Sequence, residues 1–272
     1  MTSLSFAPSR PDCAVILLAH GSARVPGSSD SAWACRDRLR AAGCFGGVHC
    51  AFWREEPSLR SFWPMVEHDD VRLVPFFLAE GWFTKHILPR ELELDGPLTH
   101  RGNRTMRLCS PVGTHPGLTE LLRKKALAAL EAGEGDSGDC ALILAGHGTR
   151  RNRDSTHTAR HHVDALQAKE TPFHEITAAF LDDEPNLRDW PALVSARTIV
   201  VVPFLIADGL HGSVDIPEIL GFDRTGICPF PMEVRQSGDR TIIRTGAIGS
   251  DPGMAQLVID QVASRGHHDP NR

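Results

Sequence analysis

The strongest constraint on the fold of this chain is an internal duplication that runs through almost all of its 272 residues. Four pairs of segments align, the clearest being AVILLAHGSAR at 14–24 with ALILAGHGTRR at 141–151. Such a repeat predicts that both copies fold into the same kind of unit. The segment EAGEGDSGD at 131–139 is rich in Gly and acidic residues, as linkers commonly are. We therefore predict two tandem domains, an N-terminal repeat at 1–134 and a C-terminal repeat at 138–272.

Each copy contains short, continuous apolar runs that are rich in β-branched residues, namely AVILLA, VRLVPFFL, ALILA and TIVVVPFLI. Runs of this kind are typical of strands that are buried on both faces of a parallel sheet. Segments with helical character alternate with them, for example 29–41 and 154–169. This order predicts an α/β fold with two Rossmann-like domains. We expect about four parallel strands per domain, flanked by helices, and an active-site cleft between the domains.

Composition excludes several classes of protein. The chain has no apolar run long enough for a membrane helix, and its start lacks the basic and apolar regions of a signal peptide. We therefore expect a cytoplasmic protein, which also disfavours a periplasmic two-lobed binding protein. A net charge of −5 disfavours nucleic-acid binding, and seven cysteines without a CxxC pair disfavour zinc or iron–sulfur sites. We expect no organic cofactor, and a monomer because the duplication supplies both copies.

Two histidines follow buried strands of the second copy. His147 comes directly after the strand at 141–145, and His211 follows a strand that ends near Ala207. The carboxyl ends of neighbouring parallel strands meet at one edge of a sheet, so we expect these side chains to converge. Neutral imidazoles are well matched to divalent cobalt, iron or nickel. The pattern predicts a metal site formed by these two residues.

The motifs AHGS and GHGT, AFLDDEP and PFLIADGLHGSVDIP resemble the CbiX/SirB branch of the class II tetrapyrrole chelatases, in a two-copy long form. The resemblance implies the chelatase fold and an enzyme, a lyase, that inserts cobalt, or iron in some members, into sirohydrochlorin without ATP. It also implies that His147 and His211 are the active-site histidines. The acidic position after the second strand falls on Asp182, with Glu184 close by.

Metal insertion requires bases, because the macrocycle loses two pyrrole N–H protons as the metal enters. We assign His147 as metal ligand and proton acceptor and His211 as its partner across the ring. Asp182 or Glu184 is assigned to metal delivery or proton removal. A solvated helix start before Pro185 explains these carboxylates equally well.

Sirohydrochlorin carries many carboxylates, so its binding requires local cations or N–H donors. The guanidinium groups of Arg150, Arg151 and Arg153 lie just past His147 in sequence and suit bidentate carboxylate binding. A purely solubilising arginine cluster is the alternative. We also predict that the loop around His211 contacts the substrate, through Gly209, Gly212 and Ser213.

The first copy departs from the motif. His20 matches His147, but Phe83 stands at the position of His211, and Arg54 stands at that of Asp182. His86 lies three residues beyond Phe83, so His20 and His86 are candidates for an accessory metal site. The competing interpretation is a degenerate site in which Trp82 and Phe83 form an apolar wall for the macrocycle.

The metal and the pathway stay open at this level, because histidine sites bind cobalt, iron and nickel alike. We favour Co²⁺, with cobalamin or siroheme biosynthesis as the pathway. A sirohydrochlorin ferrochelatase and a nickel chelatase are the enzymatic alternatives. A carrier of tetrapyrrole or metal that has no catalytic activity is the alternative from another class, and the intact His147 and His211 pair favours the enzyme.

Overall fold

The computed structural model describes residues 10–25, 27–148, 154–222 and 232–263. Its strands are β1 (Arg10–Ala19), β2 (Phe45–Phe52), β3 (Asp70–Pro75), β4 (Leu98–Arg101), β5 (Arg104–Leu108), β6 (Cys140–Gly146), β7 (Phe173–Phe180), β8 (Thr198–Phe204), β9 (Met232–Ser237) and β10 (Arg240–Thr245). Its helices are α1 (Asp30–Ala42), α2 (Leu88–Glu91), α3 (Gly117–Ala132), α4 (Asp154–Gln167), α5 (Trp190–Leu193), α6 (Ile216–Leu220) and α7 (Met254–Ala263). Two π-helical turns, Phe83–Ile87 and His211–Asp215, precede α2 and α6, and 3-10 turns lie at Trp63–Met65, Val112–Thr114, Leu187–Asp189 and Ile248–Ser250.

The first unit contains a five-stranded sheet in the order β2-β1-β3-β5-β4. The strands β2, β1, β3 and β5 are parallel, whereas β4 pairs with β5 in an antiparallel hairpin. The central strand β1 is buried from Cys13 to Ala19, as its apolar run predicts.

The second unit repeats this topology in the order β7-β6-β8-β10-β9, with β9 and β10 as the antiparallel hairpin. All residues of β6 and β8 are buried. The chain passes from β6 to β7 on one side and then to β8 on the other, so the loops after β6 and β8 meet at a topological switch point. Ligand sites of open α/β sheets lie at such points.

Two tandem α/β domains with mostly parallel sheets confirm the predicted fold class. The one difference is the number of strands, which is five per sheet instead of about four. The additional strands, β4 and β9, are short edge strands with several exposed residues. Their sequences lack the continuous apolar runs by which the central strands were recognised.

The compact units do not follow the boundaries of the sequence repeats. One unit comprises Met1–His115 together with Pro252–Arg272, and the other comprises Pro116–Asp251. Helix α3, from the first repeat, packs on β8 and β10, and helix α7, from the second repeat, packs on α1 and β3. Each unit therefore contains a helix that the other sequence repeat encodes.

Within the described ranges, no helix has both the length and the apolar character needed to cross a membrane.

Candidate functional site

The loop after β6 holds His147 in place through its backbone. The carbonyl oxygen of His147 accepts hydrogen bonds from the backbone N–H groups of Asp182, at 2.9 Å, and Leu181, at 3.1 Å. Gly148 follows with φ +68°, and a Cβ there would lie 2.7 Å from Cβ of Asp183 and 2.8 Å from Cβ of Phe180. Only glycine fits this tight turn, so the GHG motif serves the placement of His147 on the end of the strand.

The loop after β8 places His211 at the start of a π-helical turn. Asp208, just before it, accepts hydrogen bonds from the backbone N–H of Ala247, at 2.8 Å, and from Oγ of Ser250, at 2.9 Å. The hydroxyl of Ser213 donates to the carbonyl of Gly209 inside the turn. π-Helical turns are rare in proteins, but many of those that occur are at functional sites. Here side-chain hydrogen bonds stabilise the turn on both sides of His211.

The imidazole rings of His147 and His211 are stacked on each other. The ring centroids of His147 and His211 are 4.5 Å apart with an angle of 26° between the ring planes. The side chains are 46% and 43% exposed, so both rings remain accessible from solvent. The predicted convergence of these two residues, 64 positions apart in sequence, is what the geometry shows.

Each imidazole has a carboxylate beside its Nδ1 atom. The Nδ1–H of His211 donates to Oδ2 of Asp215 at 2.6 Å, and Oδ2 of Asp182 lies 3.6 Å from Nδ1 of His147. A carboxylate hydrogen-bonded at Nδ1 keeps the proton on that nitrogen, so the lone pair of His211 is on Nε2. Asp182 is beyond hydrogen-bond distance of His147 and acts on that ring through its charge. The pair therefore offers imidazole nitrogens that can bind a metal ion or accept a proton.

The environment favours the neutral form of His147. Partial burial is the largest cause that lowers the pKa of His147 below its ordinary value, and the adjacent His211 lowers it further. The carboxylates of Asp182 and Asp215 oppose this shift without cancelling it. A neutral imidazole at neutral pH is the form that binds metals and accepts protons.

The acidic run after β7 divides into three separate environments. Asp182 is next to His147, whereas Asp183 accepts a hydrogen bond from Oγ1 of Thr156 at 2.8 Å, at the start of α4. The Glu184 carboxylate accepts the backbone N–H of Asn186 at 3.1 Å. Of the two carboxylates predicted to act in the site, Asp182 is therefore the one beside the histidine pair.

The other predicted substrate contacts differ in how far the structure describes them. Arg150, Arg151 and Arg153 lie outside the described residues. Gly209, with φ +41°, has open space at its Cβ position, whereas the carbonyl of Gly212 accepts a hydrogen bond from Arg244. The Ser213 hydroxyl is engaged within its own turn, as described above. A binding role for these loop residues stays a prediction.

Two contributors to this site were missed from the sequence. Asp215 lies four residues after His211, a spacing that brings side chains together on one helix face, and this signal was available. Arg244 lies on β10, 32 residues after Gly212, and is only 1% exposed. Its one sequence signal is a charged residue where the first copy has Leu108.

The first copy holds His20 in an aromatic cluster. The ring of His20 lies 5.1 Å from that of Trp53 and 5.8 Å from that of Phe83, measured between centroids. Nδ1 of His20 contacts the carbonyl of Gly21 at 2.8 Å, and the Arg54 guanidinium lies over the Trp53 ring. His20 is therefore packed between the aromatic rings of Trp53 and Phe83, and the Arg54 side chain lies on Trp53.

His86, the second candidate for an accessory site, contacts Trp82 in a tilted arrangement with ring centroids 4.0 Å apart. Ile87 stands where the second copy has Asp215, so the first copy lacks both the partner histidine and its carboxylate. In the described parts of the chain, no group of three or more His, Cys, Asp and Glu side chains is arranged to hold a metal ion.

The CbiX family model matches the chain twice, at residues 14–129 and 141–265, which together exceed half of its length. The chain belongs to the CbiX family. This confirms the resemblance to the sirohydrochlorin chelatases, whose members act on a tetrapyrrole with a divalent metal ion as substrate. The two matches coincide with the two copies of the duplication.

Among proteins similar to this CbiX family member, a probable sirohydrochlorin cobaltochelatase of Halobacterium salinarum is 34% identical over 270 residues, which cover 93% of this chain and 91% of the relative. A multi-domain protein of Deinococcus radiodurans with structural similarity to chelatases superposes with a TM-score of 0.76 and 27% identity over 96% of this chain. This chain spans 56% of that longer protein. The CbiX structure described as the terminal enzyme of siroheme biosynthesis in denitrifying bacteria shares the fold, with a TM-score of 0.65 and 21% identity over 93% of this chain and 99% of that one.

Proposed function

We propose that this chain inserts Co²⁺ into sirohydrochlorin without ATP, and that the second copy carries the reaction. The observation that carries the proposal is the stacked pair of His147 and His211 with a carboxylate beside each Nδ1. The name of the Halobacterium salinarum relative supports cobalt as the metal. We infer a monomer from the duplication, which supplies both copies in one chain.

The histidine pair meets both chemical requirements of metal insertion. Two pyrrole N–H protons must leave the macrocycle while one divalent ion enters, so the net charge of the complex is unchanged by the exchange. Nε2 of His147 binds the incoming ion and then accepts a pyrrole proton, while His211 acts as the partner base. A two-histidine site holds the ion loosely enough to release it to four pyrrole nitrogens.

Asp182 is the better placed of the two predicted carboxylates for passing protons onward. Its side chain is 66% exposed and lies beside His147, so it connects the imidazole with solvent. The carboxylate of Glu184 is oriented by the Asn186 N–H and lies in a turn, which suits a role in attracting the hydrated ion. We retain both roles as parts of the proposal.

Substrate binding is assigned to the loops on either side of the pair. Arg150, Arg151 and Arg153 are expected to bind the carboxylates of sirohydrochlorin. Gly209, which has open space at its Cβ position, leaves room for a flat macrocycle near His211, whereas Gly212, which is buried, and Ser213 shape the same turn.

Iron and nickel are the alternative metals. The CbiX structure from denitrifying bacteria is described as the terminal enzyme of siroheme biosynthesis, and a structure of SirB from Bacillus subtilis contains Fe³⁺. The pathway is therefore proposed as cobalamin or siroheme biosynthesis, and a comparison of initial rates with Co²⁺, Fe²⁺ and Ni²⁺ under anaerobic conditions ranks the metals.

The deciding experiment follows the absorbance spectrum of sirohydrochlorin and Co²⁺ mixed with substoichiometric protein. Many turnovers per chain are expected, whereas a carrier would bind its ligand without accelerating the spectral change. His147→Ala and His211→Ala should each lower the rate by at least about 100-fold, the scale of a lost acid–base group. His20→Ala is the matched control from the first copy and should retain most activity. An equal loss in the control would place the chemistry in the first copy instead.

A further inference from the structure

Arg244 is a charged side chain buried in the second unit, where burial of charge is costly. Its side chain is 1% exposed. Its guanidinium donates through Nη1 to the carbonyl of Gly212, at 2.8 Å, and through Nε and Nη2 to Oε2 of Glu233, with the Nε contact at 3.1 Å. Gly212 directly follows His211, so this contact connects β10 with the π-helical turn that presents the imidazole.

The first copy shows that the fold itself does not need this ion pair. Leu108 and Pro97 are hydrogen-bonded partners in the β4–β5 hairpin, at the positions that Arg244 and Glu233 occupy in the β9–β10 hairpin. Thr84 stands at the position of Gly212. These three counterparts line a cavity of about 290 Å³ in the first unit. The same topology is thus built with Leu108 and Pro97 and an open space, also lined by Glu80 and Lys85, where the second copy has a buried cation.

Stability therefore does not explain why the second copy keeps the pair. A buried ion pair gains little over apolar residues of similar volume, because desolvation offsets the Coulombic attraction. Arg244 and Glu233 occur in the copy that retains His211 and Asp215, and both are replaced in the copy that has Phe83 and Ile87 at those positions.

We propose that Arg244, oriented by Glu233, is a positioning residue that fixes the π-helical turn so that the His211 ring stays stacked on His147 and bonded to Asp215. The guanidinium reaches only the Gly212 carbonyl in this turn, so it acts through the backbone of the turn and not on the substrate. This proposal rests on the proposed function for its effect on turnover, but its effect on the His211 ring does not depend on turnover.

Arg240 offers a matched control on the same strand. Its guanidinium also donates to a backbone carbonyl, that of Pro191, at 3.0 Å. Its counterpart in the first copy, Arg104, likewise donates to the carbonyl of Val66. The hydrogen bond that Arg240 makes to a backbone carbonyl is retained in both copies and therefore serves the fold. The hydrogen bond from Arg244 to Gly212 occurs in the copy that has the complete histidine pair.

The test compares the full-length parent with Arg244→Leu, Arg244→Ala and Arg240→Leu. Two-dimensional NMR of ¹⁵N-labelled histidine rings reports the Nδ1–H tautomer of His211, and steady-state kinetics report Co²⁺ insertion.

Arg244→Leu should lose the single His211 tautomer and lower kcat about 10- to 100-fold, which is the scale for residues that orient metal ligands. The KM for sirohydrochlorin should change less than about threefold. Low-millimolar guanidinium should partly restore kcat in Arg244→Ala, whereas equal urea should not. Arg240→Leu should keep the parental ring signals and kcat.

Unchanged His211 signals in Arg244→Leu, or an equal loss in Arg240→Leu, would overturn the positioning role. If the Arg244 variants do not fold, Glu233→Gln is the deciding variant, because it weakens the orientation of Arg244 but leaves Arg244 a polar partner. Parental His211 ring signals and parental kcat in Glu233→Gln would also overturn the positioning role. A parent without chelatase turnover would refute the proposed function, while the ring signals would still decide the role of Arg244.

Discussion

Asp215→Asn tests whether the carboxylate beside His211 sets the chemistry of the imidazole. The substitution keeps the size of the side chain and leaves an amide oxygen that can still accept the Nδ1–H. It removes the negative charge that stabilises this tautomer. The contact that is weakened measures 2.6 Å in the structure.

The size of the effect follows from the hydrogen bond and its exposure. A hydrogen bond to a charged partner contributes about 1.5–3 kcal/mol. The side chains of His211 and Asp215 are 43% and 38% exposed, so solvent screening reduces the contribution to about 1–2 kcal/mol. Because about 1.4 kcal/mol corresponds to a tenfold change in rate, kcat/KM for Co²⁺ insertion should fall about 5- to 30-fold.

The assay is the initial rate of the spectral change of sirohydrochlorin at several Co²⁺ concentrations, with thermal unfolding measured in parallel. Asp164→Asn is the control, since it removes one negative charge from the exposed face of α4 in the same unit. The control should keep parental kcat/KM, and both variants should keep the parental Tm within a few degrees. A parental rate in Asp215→Asn, or an equal loss in Asp164→Asn, would refute the reasoning that the local carboxylate orients His211.

Three further predictions follow from the same structure. The rate of Co²⁺ insertion should fall as the pH falls through the pKa of His147, which lies below the ordinary value of about 6.5 because the neutral form is favoured. Asp182→Asn removes a charge that raises this pKa, so the acid limb of kcat/KM should move to still lower pH, and a move to higher pH would contradict the assignment. A chain that ends after Asp251 lacks α7, which buries six apolar side chains in the first unit. At roughly 1.5 kcal/mol or more for each large side chain, the lost burial matches the whole stability of a domain. Circular dichroism and proteolysis should therefore show the first unit unfolded, and a first unit that is protected from proteolysis would be the contrary result. Phe83→His combined with Ile87→Asp should raise the Co²⁺ stoichiometry in calorimetric titration from about one to about two per chain, and a parent that already binds two equivalent ions would show that the first copy is not degenerate.

Several features of this protein could be predicted because their signals are local. The duplication, the buried runs such as Ala141 to Ala145, and the glycines around His147 are properties of short segments, and parallel strands place their following loops on one edge. The strand order then brings His147 and His211 together, so the pair was predictable from topology alone. The choice between Asp182 and Glu184 was not, since it depends on how the turn after β7 directs successive side chains.

The tertiary structure decided the features that depend on contacts between distant segments. Arg244 and Gly212 are 32 residues apart, and no local pattern shows that a guanidinium on β10 reaches the turn after β8. The packing of α3 and α7 in the unit that the other repeat mainly forms likewise depends on contacts between distant segments. An amphipathic helix carries no mark of which sheet it will cover, because apolar burial is not directional and either sheet satisfies it. The sequence alone determined the repeated fold and the two histidines, whereas their orientation and the exchange of the terminal helices required the packed structure.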